Sequence, residues 1–256
     1  MILNTINLLP LFAIVLIRTA SVLFFSPIYN QASLPLMIKI GFALVISIAI
    51  FPTVNNTEQT LPDNLVNFIL LVFKELAIGF LIGYVATLAF GAIVMGGELI
   101  SSEMGMSMAE LVDPLFGDRV SPVAQMLQIV ALILFFAVNG HHWLISALVL
   151  SYKTVPLTGF IELGFSMSKI MLLFTGVFMA AIKIAAPVMI ILGLTVVVSG
   201  FLARSTPEIN IFLIIFPMKL LVGFLLLAIT FPFITRTIGY LLELLRKDVF
   251  SMVRGI

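Results

Sequence analysis

The sequence contains no cysteine, which excludes a disulfide framework and any thiolate metal site. It is also poor in charge: only 10% of its 256 residues are Asp, Glu, Lys or Arg. An ordinary soluble domain carries roughly a quarter. The 13 basic and 12 acidic residues nearly cancel, so no basic patch supports a nucleic-acid partner. Strict alternation of polar and apolar residues is missing from runs such as LFAIVLI and LLVGFLLLAI, which excludes a transmembrane β-barrel. The opening MILNTIN has no basic n-region and no small-x-small site follows, so the first apolar segment is expected to remain as a helix.

What is present is apolar. Hydrophobic residues make up 62% of the chain and the mean hydropathy is +1.26. Residues 19–38, 76–97 and 120–152 hold no Asp, Glu, Lys or Arg, and each is long enough for a hydrocarbon core that needs about 20 helical residues. The composition predicts an all-α, multi-helix integral membrane protein built from long, kinked helical hairpins, as a single domain over residues 1–256.

Six apolar zones stand out, at residues 8–25, 36–54, 65–100, 123–150, 170–203 and 209–245. Between them lie SPIYNQASLP, NNTEQTLPDN, the stretch 101–122, SYKTVPLTG and RSTPE. Three zones are too long for simple spans, since the third would run about 50 Å against a core of about 30 Å. Pro187, Pro217 and Pro232 interrupt the last two zones and each removes a helix hydrogen bond. Such breaks survive where protein or a cavity satisfies the freed groups, which points to a chain inside a larger assembly. Six spans place both termini on one side. Lys153, Lys169, Arg246, Lys247 and Arg254, set against Arg119 and Arg204, make that side the cytoplasm.

Charges inside the zones cost about 2.5–3.5 kcal/mol at a span centre, which singles out Arg18, Lys183 and Lys219 as expected buried charges. Lys39 and Lys74 can snorkel, and Glu75 and Glu98 are the in-zone acids. Gly79, Gly83, Thr87 and Gly91 recur every four residues, a small ridge for close helix packing, within the chain or against a subunit. His141 and His142 are adjacent and are expected to point to different faces, as packing residues and not as a metal clamp. Residues 103–122, EMGMSMAELVDPLFGDRVSP, form a loop with apolar teeth. Methionine adapts to irregular surfaces, so this loop suits either a deformable seal or a core-filling re-entrant segment.

Arg18 with Pro27, Pro35 and Lys39, then KELAIGFLIGY, GELISSEMGMSMAELVDP, NGHHWLISAL with SYKTVP, and PEINIF with FPMK, occur in an order that resembles the FliR family of flagellar biosynthesis proteins. Its injectisome counterparts are the T components of the type III secretion export gate. The resemblance covers essentially the whole chain. It implies a subunit of a helical export gate in the bacterial inner (cytoplasmic) membrane, within the export apparatus of the flagellar basal body. The implied partners are P-like and Q-like subunits, a B-type switch protein, unfolded export substrates and membrane lipid. It also implies a pore plug at 103–122, with Met104, Met106, Met108, Leu111 and Phe116 as sealing residues, and neither a cofactor nor an enzymatic activity. Two other readings fit the composition: a secondary transporter, weakened by the scarcity of in-zone acids, and a purely structural membrane scaffold. No HExxH, catalytic triad or paired acidic metal motif favours an intramembrane enzyme.

Overall fold

The computed structural model describes residues 2–27, 29, 35–55, 64–106, 120–157, 167–205 and 212–255. Among the described residues there are seven α-helices and no strand: α1 (Ile2–Phe24), α2 (Leu36–Asn55), α3 (Leu65–Glu103), α4 (Pro122–Ala137), α5 (Gly140–Thr154), α6 (Met167–Ser205) and α7 (Phe212–Arg254). The protein is therefore the all-α membrane protein expected from composition. Among the described residues, four helices are long and apolar enough to cross a membrane, namely α2, α3, α6 and α7. A fifth span is available if the bent pair α4 and α5 counts as one.

The fourth apolar zone is broken where a continuous helix was expected. Asn139 adopts the left-handed conformation, φ 56° and ψ 36°, and α4 and α5 diverge by 68° there. Asparagine tolerates this conformation because its short polar side chain offsets the usual steric cost. By contrast Pro187 lies inside α6, and Pro217 and Pro232 inside α7, without ending either helix. Helices of 39 residues (α3 and α6) and 43 residues (α7) run about 58 and 64 Å at a rise of about 1.5 Å per residue.

The chain forms two compact units. One comprises residues 1–88, 139–173 and 244–256. In it α1 packs against the first half of α3 and against α5, with Ile14, Val15, Ile78, Ile82 and Leu148 in the core, and Val249 and Val253 of the last turns of α7 also buried. The other comprises residues 89–138 and 174–243, where Ile93, Leu127, Phe135, Ile184, Val188 and Ile238 are buried.

The four-residue ridge on α3 is divided in use. A Cβ at Gly79 would come within 2.6 Å of Ser21 Cβ and 2.7 Å of Arg18 O, and one at Gly83 within 2.7 Å of Val22 O. Thr87 Oγ1 donates to the carbonyl of Phe25, and Ser21 Oγ donates to Leu76 O at 2.9 Å, so small residues let two backbones meet and exchange polar contacts. Nothing lies within 4 Å of a Cβ at Gly91. Leucine at Gly79 or Gly83 should therefore overpack the α1–α3 contact by at least the 1–3 kcal/mol typical of such insertions. Limited proteolysis of membranes should show earlier cleavage of these two variants and a parental pattern for Gly91→Leu. Equal sensitivity of all three would show that the ridge is not the contact that matters.

Candidate functional site

Arg18 sits in the last third of α1 and Glu75 in the first third of α3, 57 residues apart, and both are fully buried. The guanidinium forks onto the carboxylate: Nε donates to Oε2, and Nη2 donates to Oε1 at 2.7 Å. Two further N–H donors are also used. Nη1 reaches Ser151 Oγ at 3.1 Å and Nη2 reaches Val155 O at 3.1 Å, while the Tyr152 ring lies 4.1 Å from Cζ. Tyr152 in turn donates its hydroxyl to Val15 O, one turn before Arg18. One side chain thus ties α1, α3 and the end of α5 together, in the planar geometry that suits arginine to buried pairing.

Lys74, beside Glu75, turns to the same place. Its Nζ donates to Pro156 O at 2.9 Å and Leu157 O at 3.1 Å. Three successive carbonyls, at residues 155, 156 and 157, are therefore held by two cations from other helices. These carbonyls follow the C-terminal turn of α5, where the helix dipole also favours positive charge.

The sequence pattern singles out Arg18 as a buried charge and marks Glu75 only as an in-zone acid, without pairing the two. The signal was present: an acid inside an apolar helix requires a cation, and Arg18 lies in the first helix at comparable depth in its apolar run. Lys183 and Lys219 are not in this hub. Lys183 is exposed on the isolated chain and Lys219 is half-buried. His141 and His142, expected on different faces, place their rings with centroids 4.3 Å apart in the first turn of α5.

The second notable arrangement frames the methionine-rich loop. Helix α3 ends at Gly105, φ +82°, with Gly105 N bonded to Ser102 O and Met106 N to Ser101 O. This pair of bonds around a left-handed glycine is a Schellman cap. Met104, fully buried, lies over Gly223 of α7: a Cβ there would be 2.6 Å from Met104 Cγ and 2.8 Å from Cε. On the far side of the loop, Ser121 caps α4 by accepting from Ala124 N, and its own N–H donates to Glu98 Oε1 at 2.7 Å. Both ends of the loop are thus fastened to α3 or α7. Met106 is half-exposed. Met108, Leu111 and Phe116 lie outside the described residues.

Removing one member of a desolvated pair strands the other, at a cost of about 3–5 kcal/mol, whereas replacing both with apolar residues is far milder. Arg18→Met and Glu75→Leu should each lower the amount of protein retained in membranes, and the double variant should recover much of the loss. Quantitative immunoblotting of membrane fractions reads this directly. Additive loss in the double variant would show that the pair is not the coupled unit described.

Comparison with known proteins places this architecture. Residues 9–245 match the model of the family described as bacterial export proteins, family 1. The flagellar biosynthetic protein FliR of Bacillus subtilis is 28% identical over 232 residues, covering 88% of each chain. That of Escherichia coli is 31% identical over 243 residues, covering 94% of this chain and 90% of its own. FliR of Buchnera aphidicola from Acyrthosiphon pisum is 31% identical over 231 residues, covering 90% and 88%. A match across nearly the whole length, with both the hub and the base of the loop inside it, means that the chain belongs to the FliR family of bacterial export proteins.

Proposed function

We propose that this chain is a subunit of the flagellar type III export gate in the bacterial inner membrane, where it forms part of the conduit for unfolded export substrates together with P-like and Q-like subunits and a B-type switch protein. The observation that carries the reading is the whole-length family match, joined to apolar helices longer than a bilayer is thick. Exposed apolar side chains continue along α6 from Met171 to Phe201 and along α7 from Ile214 to Leu244. A bilayer covers about 30 Å of such a helix, so neighbouring subunits are the natural cover for the rest.

The two acids of α3 that lie within its apolar zone support this reading over that of an ion-coupled transporter. Glu75 is committed to Arg18, and Glu98 holds the N–H of Ser121, so both carboxylates have structural duties. Nothing in the two arrangements resembles a catalytic constellation.

Within the gate, the loop at 103–122 closes the conduit at rest. Its base is rigid by construction, with Met104 seated over Gly223 and Gly105 completing the helix cap. Beyond this base the side chains of Met106, Met108, Leu111 and Phe116 supply deformable apolar surface. Such surface seals against ions by excluding water yet yields to a passing chain.

The two roles separate experimentally. Met106→Ser with Met108→Ser should raise the resting ion conductance of the assembled gate in planar bilayers, with co-purification of the other subunits unchanged. Met104→Ser should instead loosen the loop base and reduce assembly. A double variant that assembles and remains as ion-tight as the parent would overturn the plug. Co-purification of the parent chain without any other export subunit would overturn the gate assignment itself.

A further inference from the structure

Lys183 is exposed on α6, which is otherwise apolar from Met171 to Phe201, and no ion-pair partner for it is present among the described residues. Lipid cannot be its surroundings without a conflict. Lys183 lies 12 residues from Met171, about 18 Å, and 18 residues from Phe201, about 27 Å. If the hydrocarbon core is centred on this stretch, the ammonium sits inside it, beyond the reach that lets lysine snorkel. If the core instead begins at Lys183, the exposed Met171, Leu172, Phe174, Phe178, Met179 and Ile182 stand in headgroups and water. Either placement leaves a defect that only another protein surface removes.

The chemistry around Lys183 indicates what that surface carries. Gly176, Met179, Lys183, Ile190, Leu194 and Val197 fall on one line along the helix at about 3.6 residues per turn, and all six are exposed. Gly176 has nothing within 4 Å of a Cβ, which permits close approach by a second helix. The polar centre of this line is doubled. Pro187, inside α6, brings no N–H to the Lys183 carbonyl four residues earlier, so a carbonyl without its regular helix donor accompanies the ammonium. An apolar stripe interrupted by one cation is complementary to an apolar helix interrupted by one carboxylate.

A second copy of the chain is a poor source of that carboxylate. Glu75 is bound to Arg18, Glu98 is bound to the N–H of Ser121, and Glu243 lies close to Arg246 and Lys247 in the charged final turns of α7. We infer that the Lys183 stripe of α6 docks a transmembrane helix of a different chain, whose single in-span carboxylate pairs with the Lys183 ammonium. The inference rests on the reading of the chain as one subunit of a hetero-oligomer, and it specifies the contact.

The test uses the native complex in membrane vesicles, treated with a hydrophobic carbodiimide. This reagent activates a shielded carboxyl group, the lysine amine displaces the urea, and an amide joins the two residues. Mass spectrometry should find Lys183 linked to an Asp or Glu within an apolar stretch of another chain. The link should vanish in Lys183→Arg, whose guanidinium keeps the pairing but does not react, and that variant should co-purify with its partners to within about twofold of the parent. Lys183→Glu, which sets like charges together, should reduce co-purification about tenfold or more. An intact complex that yields no Lys183 link, a link to a second copy, or undiminished co-purification of Lys183→Glu would overturn the inference. A link to a chain that is not an export subunit would leave the docking stripe standing and remove the export-gate assignment. Absence of a link in a complex that contains the other export subunits would do the reverse.

Discussion

The thickness of the bilayer is the constraint on which the rest of the structure depends. A hydrocarbon core of about 30 Å accepts about 20 helical residues, and this chain presents apolar helices of 39, 39 and 43. The surplus surface has to be covered by protein. Within the chain, only part of it is: in the most apolar window of α7, 17% of the residues are buried, and in those of α3 and α6 28%. In the proposed gate, these exposed faces are the interfaces with neighbouring subunits.

Against that demand, the buried polar contacts fix which faces are turned outward. The Arg18–Glu75 pair, with Ser151, Tyr152 and Val155, engages four of the arginine's five N–H donors and its guanidinium face inside the first unit, and Lys74 holds the neighbouring carbonyls. A satisfied network of this kind contributes little net stability but admits only one register of α1 against α3. Gly79 and Gly83 reinforce that register by letting the backbones approach. In the second unit, the Met104–Gly223 contact and the Glu98–Ser121 bond do the equivalent for the two ends of the methionine-rich loop. Lys183, outside these arrangements, is exposed on α6, the face that the docking inference above assigns to a partner helix.

Much of this was legible in the sequence, and the failures have physical causes. Helix class followed from composition, and helix boundaries from the polar breakers, because a chain with so few charges has few places to meet water. Arg18 could be singled out because an intramembrane charge is costly wherever it occurs. Its partner was harder to see: Glu75 is 57 residues away, and pairing across that distance is a property of the fold, whereas the adjacent Lys74 offers a local and incorrect match. The break at Asn139 was hidden because one left-handed residue inside an apolar run leaves no periodic trace. Which apolar stretches cross the membrane is not legible in this way, since hydropathy marks residues that avoid water without saying whether lipid or protein replaces it.

That last distinction can be measured. Single spin labels placed along the exposed line of α7 between Ile214 and Leu244, in the assembled complex in nanodiscs, report accessibility to oxygen, which enriches in lipid, and to a polar nickel chelate, which enriches in water. The account predicts that no more than about 20 consecutive positions contact lipid and that the remaining apolar positions are shielded from both reagents by protein. Oxygen accessibility along the whole line, or free access of the nickel chelate to the apolar positions outside the lipid-contacting stretch, would contradict it.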